Sequence, residues 1–181
     1  MRSKDPLGNP ADLIPRVYSY VAYRIGDGPD AEDVTSDVFE RALRYRASYD
    51  EHRGRPVTWL LGIARRCVDD TLKRRTSLPA FDVEERPSTE DLEGEAVHRV
   101  AVAGAINRLD ARARDLLALR YGADLSAREI GEVIGARTNA VEVALHRALT
   151  RVRTELEESR PGEASRARQP APREPAPRIA P

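Results

Sequence analysis

The segment from 125 to 147 limits what this chain can fold into, because it has the pattern of two amphipathic helices around a glycine-bearing turn. Ser126 and Glu129 have the spacing of a capping box, which predicts the start of the first helix. Gly135 marks its end, and Asn139 is predicted to cap a second helix. The pattern predicts a helix-turn-helix, whose second helix normally enters the major groove of DNA, although an ordinary helical hairpin has the same spacing.

The composition favours small helical units over a large sheet core. Of the 181 residues, 33% are charged and 5% are aromatic, and the mean hydropathy is -0.57. We therefore predict an all-α chain with two modest hydrophobic cores. The 30 Lys and Arg residues balance the 30 Asp and Glu residues. Net charge is thus uninformative about a nucleic-acid partner, and only the local distribution of charge can indicate one.

Several classes of protein are disfavoured by what the sequence lacks. Cys67 is the single cysteine, which excludes an internal disulfide framework and a multi-cysteine zinc site. No apolar run long enough for a signal peptide or a membrane span occurs, so the expectation is a cytoplasmic protein without membrane insertion. Asp69 and Asp70 point about 100 degrees apart on a helix and cannot form a carboxylate dyad. We predict no enzyme activity, no catalytic residue, no metal and no cofactor.

Changes in composition divide the chain into four parts. Residues 11–75 are predicted to form a first helical unit, and residues 97–158 a second one that carries the helix-turn-helix. Residues 76–96 are acidic and contain breaker residues, which predicts a flexible linker, favoured as a solvated tether. Residues 159–181 are rich in Pro, Ala and Arg and are predicted to be a disordered tail.

The first unit is predicted to contain three helices. The first covers residues 12–25 and stops at a Gly-Asp-Gly-Pro turn. The second is capped by Asp30, with Asp33 three residues later, and Pro56 opens the third because proline suits a first helical turn. The predicted buried stripe of the third helix comprises Leu60, Ile63, Ala64, Cys67, Thr71 and Leu72.

Two motifs in a fixed order carry a family resemblance. The first comprises residues 30–39, residues 59–65 and Asp70, and the second comprises residues 105–109, residues 116–121 and the helix-turn-helix. The first resembles region 2, and the second region 4, of bacterial extracytoplasmic-function (ECF) sigma factors of the sigma-70 family. The resemblance covers residues 11–157. It implies a subunit that binds core RNA polymerase at the clamp of the largest subunit and at the flap region. Region 2 would open the minus-ten promoter element, and region 4 would bind the minus-thirty-five element.

By this resemblance, one face of the second helix meets the polymerase clamp. Asp33 and Asp37 are four residues apart and share that face, with Glu40 nearby. The apolar part of the predicted docking surface consists of Val34, Val38 and Phe39. The charges would steer association and fix register more than supply affinity. A solvated acidic face beside a core stripe is the alternative.

Basic and aromatic residues between 41 and 75 are candidates for minus-ten DNA. The basic candidates are Arg53, Arg55, Arg65, Arg66, Lys73 and Arg74, whose charges can neutralise phosphates. Tyr45 and Tyr49 can stack on unpaired bases or pack between helices, and the sequence leaves both open. For Trp59, an anchor in the core is favoured over stacking. The family commonly has Asn at the position of Arg66, so the minus-ten base preference stays open.

The predicted recognition helix has its own candidates for minus-thirty-five DNA. Asn139 suits adenine, Glu142 can accept from cytosine N4, and Val143 can contact a thymine methyl, with His146 as a fourth base-edge candidate. Arg137 and Arg147 can hold the backbone. The family often has a basic residue, Ser and Arg at positions 142–144, so weak affinity for free DNA is expected here. The Glu142 carboxylate can equally complete the predicted helix cap, and the two roles stay open.

The sequence is also compatible with a second class of DNA-binding protein. A conventional helix-turn-helix regulator would use the first unit for dimerisation or sensing and would act without being a polymerase subunit. The sequence also leaves open whether an anti-sigma factor binds the chain. Promoter-specific initiation with core polymerase alone distinguishes a sigma factor from a repressor.

Overall fold

The computed structural model of the chain describes residues 5–77 and 93–158, and these parts contain helices and no strand. An amino-terminal bundle consists of α1 (Pro10–Ile25), α2 (Pro29–Tyr45) with a short 3-10 turn (Arg46–Ser48), and α3 (Pro56–Ser77). A helix-turn-helix unit consists of α4 (Glu93–Asn107), α5 (Ala111–Leu117) with a π-helical turn (Ala118–Gly122), α6 (Ala127–Ile134) and α7 (Thr138–Glu158). The predicted all-α class is confirmed. Most of the predicted linker and the whole predicted tail lie outside the described residues.

The starts of the first helices follow from proline and glycine. Pro10 and Pro29 stand in the first turns of α1 and α2, where the missing N–H costs no helical hydrogen bond. Gly28 has φ 116° and precedes α2 directly, a backbone conformation that favours glycine. The predicted cap at Asp30 is therefore wrong, because Gly28 and Pro29 start the helix earlier. Asp30 lies in the first turn, and its carboxylate pairs with Arg75.

Helix α3 is buried on more sides than its sequence stripe predicts. Leu60 and Cys67 are buried as expected, but Leu61 and Val68 are fully buried as well. The reason is that α3 contacts α1 and α2 within its own bundle and also α6 of the helix-turn-helix unit. A single-stripe interpretation cannot find the second face, because the partner of that face is distant in sequence.

The first helix of the helix-turn-helix begins and ends as predicted, whereas the second helix begins earlier than predicted. Ser126 accepts from the Glu129 amide, and the Glu129 carboxylate accepts from the Ser126 amide, so the capping box is confirmed. Gly135 ends α6 with φ 69°. The predicted cap at Asn139 is wrong because α7 begins at Thr138, and the Val141 amide donates to the carbonyl of residue 137 at 3.1 Å.

The two units share one core in this structure. Buried apolar residues of both form a single contiguous cluster, so the expectation of two separate cores is wrong for this conformation. The main contact lies between α1 and the π-helical turn. A Cβ on Gly122 would lie 2.9 Å from the Ser19 carbonyl oxygen, so this glycine permits the close approach of the two backbones. None of the described helices is long and apolar enough to cross a membrane.

The close approach at Gly122 leads to a stability prediction. We expect Gly122→Ala to lower the free energy of unfolding by about 1 to 3 kcal/mol, because the added methyl overlaps backbone atoms of α1. Urea unfolding followed by circular dichroism measures the change. Gly104→Ala in α4 is the matched control, since no atom beyond the neighbouring backbone of its own helix lies within 4 Å of the added Cβ. Equal effects of the two substitutions would contradict the close packing at Gly122.

Candidate nucleic-acid interface

The acidic face of α2 is exposed, and its apolar members are not. Asp33, Asp37 and Glu40 lie on the surface, and Phe39 is half-buried. Val34 is 5% exposed and Val38 is 0% exposed, so the prediction that these two valines contact a partner is wrong for this conformation. The helical period places them beneath the acidic face, where they anchor α2 to the bundle.

Sequence reasoning missed an exposed apolar residue on α2. Leu43 is 57% exposed, whereas Ala42 beside it is completely buried. Glu40, three residues before Leu43, pairs with Arg44 at 3.0 Å. The available signal was the phase of Leu43, which falls outside the buried stripe of α2 and so predicts an exposed position.

The basic candidates of the amino-terminal bundle fall into two groups. Arg53, Arg66, Lys73 and Arg74 are exposed, and Arg74 also donates to the Thr71 hydroxyl at 3.1 Å. The second group, Arg55 and Arg65, pairs with carboxylates of the helix-turn-helix unit, and of these two Arg55 is still 65% exposed. The basic stretch that the sequence predicts as one DNA-binding surface is therefore partly covered by the helix-turn-helix unit in this conformation.

The aromatic candidates are held differently from one another. Tyr45 is 55% exposed. The ring of Tyr49 packs edge-on against Trp59 at a centroid distance of 5.6 Å, and the phenol donates to the Gly54 carbonyl at 3.0 Å. Trp59 is half-buried at the wall of a cleft, so it is only partly the predicted core anchor.

That cleft lies between α6 and the loop that precedes α3, residues 49–55, which is called the basic loop. Its volume is about 450 Å³, and its wall includes Arg53, Trp59 and Arg66 of the amino-terminal bundle. Glu132 and Val133 of the helix-turn-helix unit form the opposite side. The cleft therefore exists only while the two units are packed together.

The candidate base-reading residues of α7 lie together on its exposed side. The exposed positions are Arg137, Asn139, Glu142, Val143, His146 and Arg147. Val141, Leu145 and Ala148 are buried on the opposite side and fix α7 to the unit. Because α7 starts before Asn139, a reciprocal cap between Asn139 and Glu142 does not form. The Glu142 side chain therefore projects from the exposed face of the helix.

The thiol of Cys67 is enclosed in the protein interior. Cys67 is buried, as predicted, and burial raises the pKa of its thiol. A thiol held in its neutral form is a poor nucleophile. Among residues 5–77 and 93–158, no group of three His, Cys, Asp or Glu side chains is arranged to hold a metal ion.

Two family models match the chain. The model described as "Sigma-70 region 2" matches residues 11–77, and the model described as "Sigma-70, region 4" matches residues 99–152. The first match coincides with α1 to α3, and the second falls within α4 to α7.

The chain is similar to two curated sigma factors. It is 34% identical over 143 residues to the ECF RNA polymerase sigma factor BldN of Streptomyces coelicolor, across 74% of this chain and 53% of BldN. It is 34% identical over 156 residues to the ECF RNA polymerase sigma factor SigD of Mycobacterium tuberculosis, across 78% of this chain and 72% of SigD. The chain thus spans about half the length of BldN and most of SigD.

Solved structures share the fold. The sigma factor RpoE in complex with the anti-sigma factor NepR from Bartonella quintana superposes with a TM-score of 0.63 at 18% identity, across 82% of this chain and 94% of RpoE. CnrH in complex with the cytosolic domain of CnrY gives a TM-score of 0.57 at 21% identity, across 84% of each chain. At these identities the likeness is one of fold.

The Glu129 carboxylate leads to a pH prediction. Burial raises its pKa, but hydrogen bonds from Ser126 and the pair with Arg55 outweigh burial and hold the pKa below its usual value. A lowered folded-state pKa stabilises the fold above the unfolded-state pKa of about 4.3, and this contribution is lost as pH falls through the folded-state value. We expect wild type to exceed Glu129→Gln in unfolding free energy at pH 7, with the difference shrinking below about pH 4.

Urea unfolding at several pH values measures this difference. Gln keeps the capping box, so the substitution tests the charge of residue 129 and not the helix start. Glu157→Gln, at the exposed end of α7, controls for the loss of one negative charge. A wild-type advantage that stays constant from pH 7 to pH 3 would contradict the lowered pKa.

Proposed function

Since the chain belongs to the ECF RNA polymerase sigma factors of the sigma-70 family, we propose that it binds core RNA polymerase and directs promoter-specific transcription initiation. The observation that carries this proposal is the presence of two contact surfaces in one chain. An exposed acidic face lies on α2 of region 2 (α1 to α3), and an exposed recognition face lies on α7 of region 4 (α4 to α7). A protein that holds polymerase and promoter together needs both surfaces.

The acidic face of α2 is the proposed contact for the clamp of the largest polymerase subunit. Asp33, Asp37 and Glu40 supply charges that steer the encounter, and exposed Leu43 supplies apolar area among them. Val34 and Val38 support this surface from the core. Region 4 is proposed to meet the flap region, as the family resemblance implies.

Region 2 is the proposed reader of the minus-ten element. The exposed Arg53, Arg66, Lys73 and Arg74 can contact phosphates of the opened strand, and exposed Tyr45 can stack on a base. Stacking contributes about 1 to 3 kcal/mol per base, which is comparable to the cost of extruding one base. Tyr49 could stack on a base only after it leaves its contacts with Trp59 and Gly54.

Region 4 is the proposed reader of the minus-thirty-five element. Asn139, Glu142, Val143 and His146 share the exposed side of α7 and can reach base edges, while Arg137 and Arg147 hold phosphates. The acidic Glu142 weakens attraction to the DNA backbone. Polymerase would therefore need to hold region 4 in place on the promoter.

Further properties follow from this role. The chain would provide binding surfaces and no chemistry of its own, so we propose that it is not an enzyme. It would act on chromosomal DNA, which places it in the cytoplasm. RpoE and CnrH were solved with NepR and CnrY, respectively, and by analogy we propose that an anti-sigma factor can bind this chain. The alternative of a conventional regulator is disfavoured, because its sensing or dimerisation unit would have to be the bundle that matches region 2.

Transcription in vitro tests the proposed function. Added alone to core RNA polymerase and a library of genomic fragments, the chain should produce transcripts from a defined set of promoters. Sequencing of the transcript starts should show shared minus-ten and minus-thirty-five elements. Transcription that is absent, or that does not depend on the added chain, would contradict the role of a sigma factor.

Asp37→Lys is the matched variant for polymerase binding. Reversal of this charge on the exposed α2 face should reduce retention of core polymerase about tenfold or more in a pull-down. Asp12→Lys on α1 changes net charge equally and serves as the control. Equal retention of both variants would remove the acidic α2 face from the polymerase contact.

Glu142→Ala tests base reading by α7. Because Glu142 lies beyond the start of the helix, its removal should leave the free energy of unfolding unchanged within about 0.5 kcal/mol. The preference at one minus-thirty-five position should relax by about 1 to 3 kcal/mol in a binding selection with the holoenzyme. An unchanged sequence preference would assign Glu142 to a solvated position.

A further inference from the structure

The side chain of Tyr49 joins the two ends of the basic loop. Its phenol donates to the Gly54 carbonyl, five residues later in the chain, at 3.0 Å. Its ring packs edge-on against Trp59 of α3, with the ring centroids 5.6 Å apart. The hydroxyl therefore closes the loop, and the ring attaches the closed loop to the helix that follows it.

The hydroxyl of Tyr49 remains a hydrogen-bond donor at neutral pH. Burial raises the pKa of this phenol, and the negative charges of Glu51 and Asp50 raise it further. A phenol has a single hydrogen to donate, and here the Gly54 carbonyl accepts it. Ionisation therefore does not break the contact under physiological conditions.

The residues inside the loop form a turn around Asp50. The Asp50 carboxylate accepts from the His52 amide at 3.0 Å, and the Asp50 carbonyl accepts from the Arg53 amide at 3.1 Å. An aspartate that accepts from the amide two residues later holds a turn by means of its side chain. The backbone of Arg53 is thus fixed on both sides, by this turn and by the contact between Tyr49 and Gly54.

The end of the loop is fixed to the start of α3. The Thr58 hydroxyl donates to the Arg55 carbonyl at 2.8 Å, and Thr58 is 5% exposed. A Cβ on Gly54 would lie 2.8 Å from the oxygen of that hydroxyl, so the glycine leaves the space that Thr58 occupies. All the contacts that hold the loop in this way belong to region 2, and none of them requires region 4.

This fixed backbone carries one of the candidate DNA contacts. Arg53 is exposed on the loop and borders the cleft, as do Arg66 and Trp59. Binding to a flexible loop incurs the entropy cost of ordering that loop, whereas a loop that is fixed in advance does not incur it. The arrangement therefore favours binding of an anion by Arg53.

We propose that Tyr49 is a positioning residue for minus-ten DNA and not a stacking residue. It holds the basic loop in one conformation before DNA binds, so that the Arg53 guanidinium can contact a phosphate of the opened strand. The inference rests on the proposed minus-ten role of region 2, because Tyr49 acts through Arg53. Base stacking is then left to the exposed Tyr45.

Tyr49→Phe separates the two roles, because phenylalanine keeps the aromatic ring and loses only the hydroxyl. A stacking residue tolerates this change, whereas a residue that closes the loop does not. The probe is a labelled single-stranded oligonucleotide with the minus-ten element found by transcript sequencing, and holoenzyme binding is followed by fluorescence anisotropy. We expect the affinity to fall about three- to tenfold. Unchanged affinity would overturn the proposal.

Tyr23→Phe is the matched control. It removes a phenol hydroxyl from α1, where Tyr23 is 38% exposed and lies outside the basic loop. Its affinity for the oligonucleotide should equal that of wild type. Urea unfolding of both variants shows whether each retains the fold.

The salt dependence of binding tests whether Tyr49 acts through Arg53. Arg53→Ala should reduce the slope of log affinity against log salt by about 0.7, which corresponds to one phosphate contact with a single strand. Tyr49→Phe changes no charge, yet it should reduce this slope in the same direction. Added to Arg53→Ala, it should cause little further loss of affinity. A loss of affinity with an unchanged slope would overturn the positioning role.

Asp50→Asn and Asp50→Ala test the fixed loop without altering Tyr49, and they remain usable if Tyr49→Phe does not fold. Both remove the same negative charge, which by itself strengthens DNA binding. Asn keeps an acceptor for the His52 amide, and Ala does not. We expect Asp50→Ala to bind the oligonucleotide about threefold more weakly than Asp50→Asn. Equal affinities would overturn the proposal.

Trp59 reports on the loop in the free chain, because it is the single tryptophan and contacts Tyr49. Acrylamide quenching of its fluorescence should increase in Tyr49→Phe and stay unchanged in Tyr23→Phe. Equal quenching in wild type and Tyr49→Phe would show that the hydroxyl does not hold the loop, and the proposal would be wrong.

The same oligonucleotide assay separates this inference from the proposed function. If Arg53→Ala and Arg66→Ala both leave binding unchanged, the minus-ten role of this surface is wrong, and the inference fails with it. If these two variants weaken binding while Tyr49→Phe does not, the minus-ten role stands and only the positioning role of Tyr49 is wrong.

Discussion

The arrangement of the two regions depends on the hydrogen bonds that the buried Asp115 carboxylate accepts from region 2. Asp115 lies in α5 directly before the buried Leu116 and Leu117, and its hydrogen-bond donors, Tyr20 and Arg65, come from region 2. A carboxylate in this position without them would be buried and unpaired, at a cost of several kcal/mol. Closure of the two regions therefore satisfies a charge that region 4 alone leaves buried or forces into solvent.

The sequence predicts those features of the fold that local chemistry determines. The capping box at Ser126 and Glu129, the glycine at the end of α6 and the proline start of α3 need only neighbouring residues, and all three are confirmed. The caps expected at Asp30 and Asn139 are wrong, because a stronger signal or an earlier start lies within two residues. The second buried face of α3 could not be predicted, since its partner α6 is distant in sequence.

The same limit applies to the candidate site. Helical periodicity predicts which residues share the exposed side of α7, and the structure places them there. Proximity in sequence is a poorer guide, because Val34 and Val38 lie beside the acidic residues in the chain but on the buried side of α2. The pairing of Arg55 with Glu129 also could not be predicted, because a basic cluster indicates affinity for an anion without identifying the anion. A basic cluster attracts a carboxylate of the same chain as well as a phosphate of DNA.

The junction between the two regions combines buried packing with ion pairs that differ in exposure. The pair of Arg55 with Glu129 is exposed on its arginine side, and ion pairs near the surface contribute about 0 to 1 kcal/mol. The pair of Arg65 with Asp115 differs, because the Asp115 carboxylate would stay buried and unpaired if this pair were broken. The burial of Tyr20 and the close backbone approach at Gly122 stabilise the packing of the two regions, and the ion pairs fix its register. The arrangement of the two regions therefore depends more on the buried Asp115 and its partners than on the pair between Arg55 and Glu129.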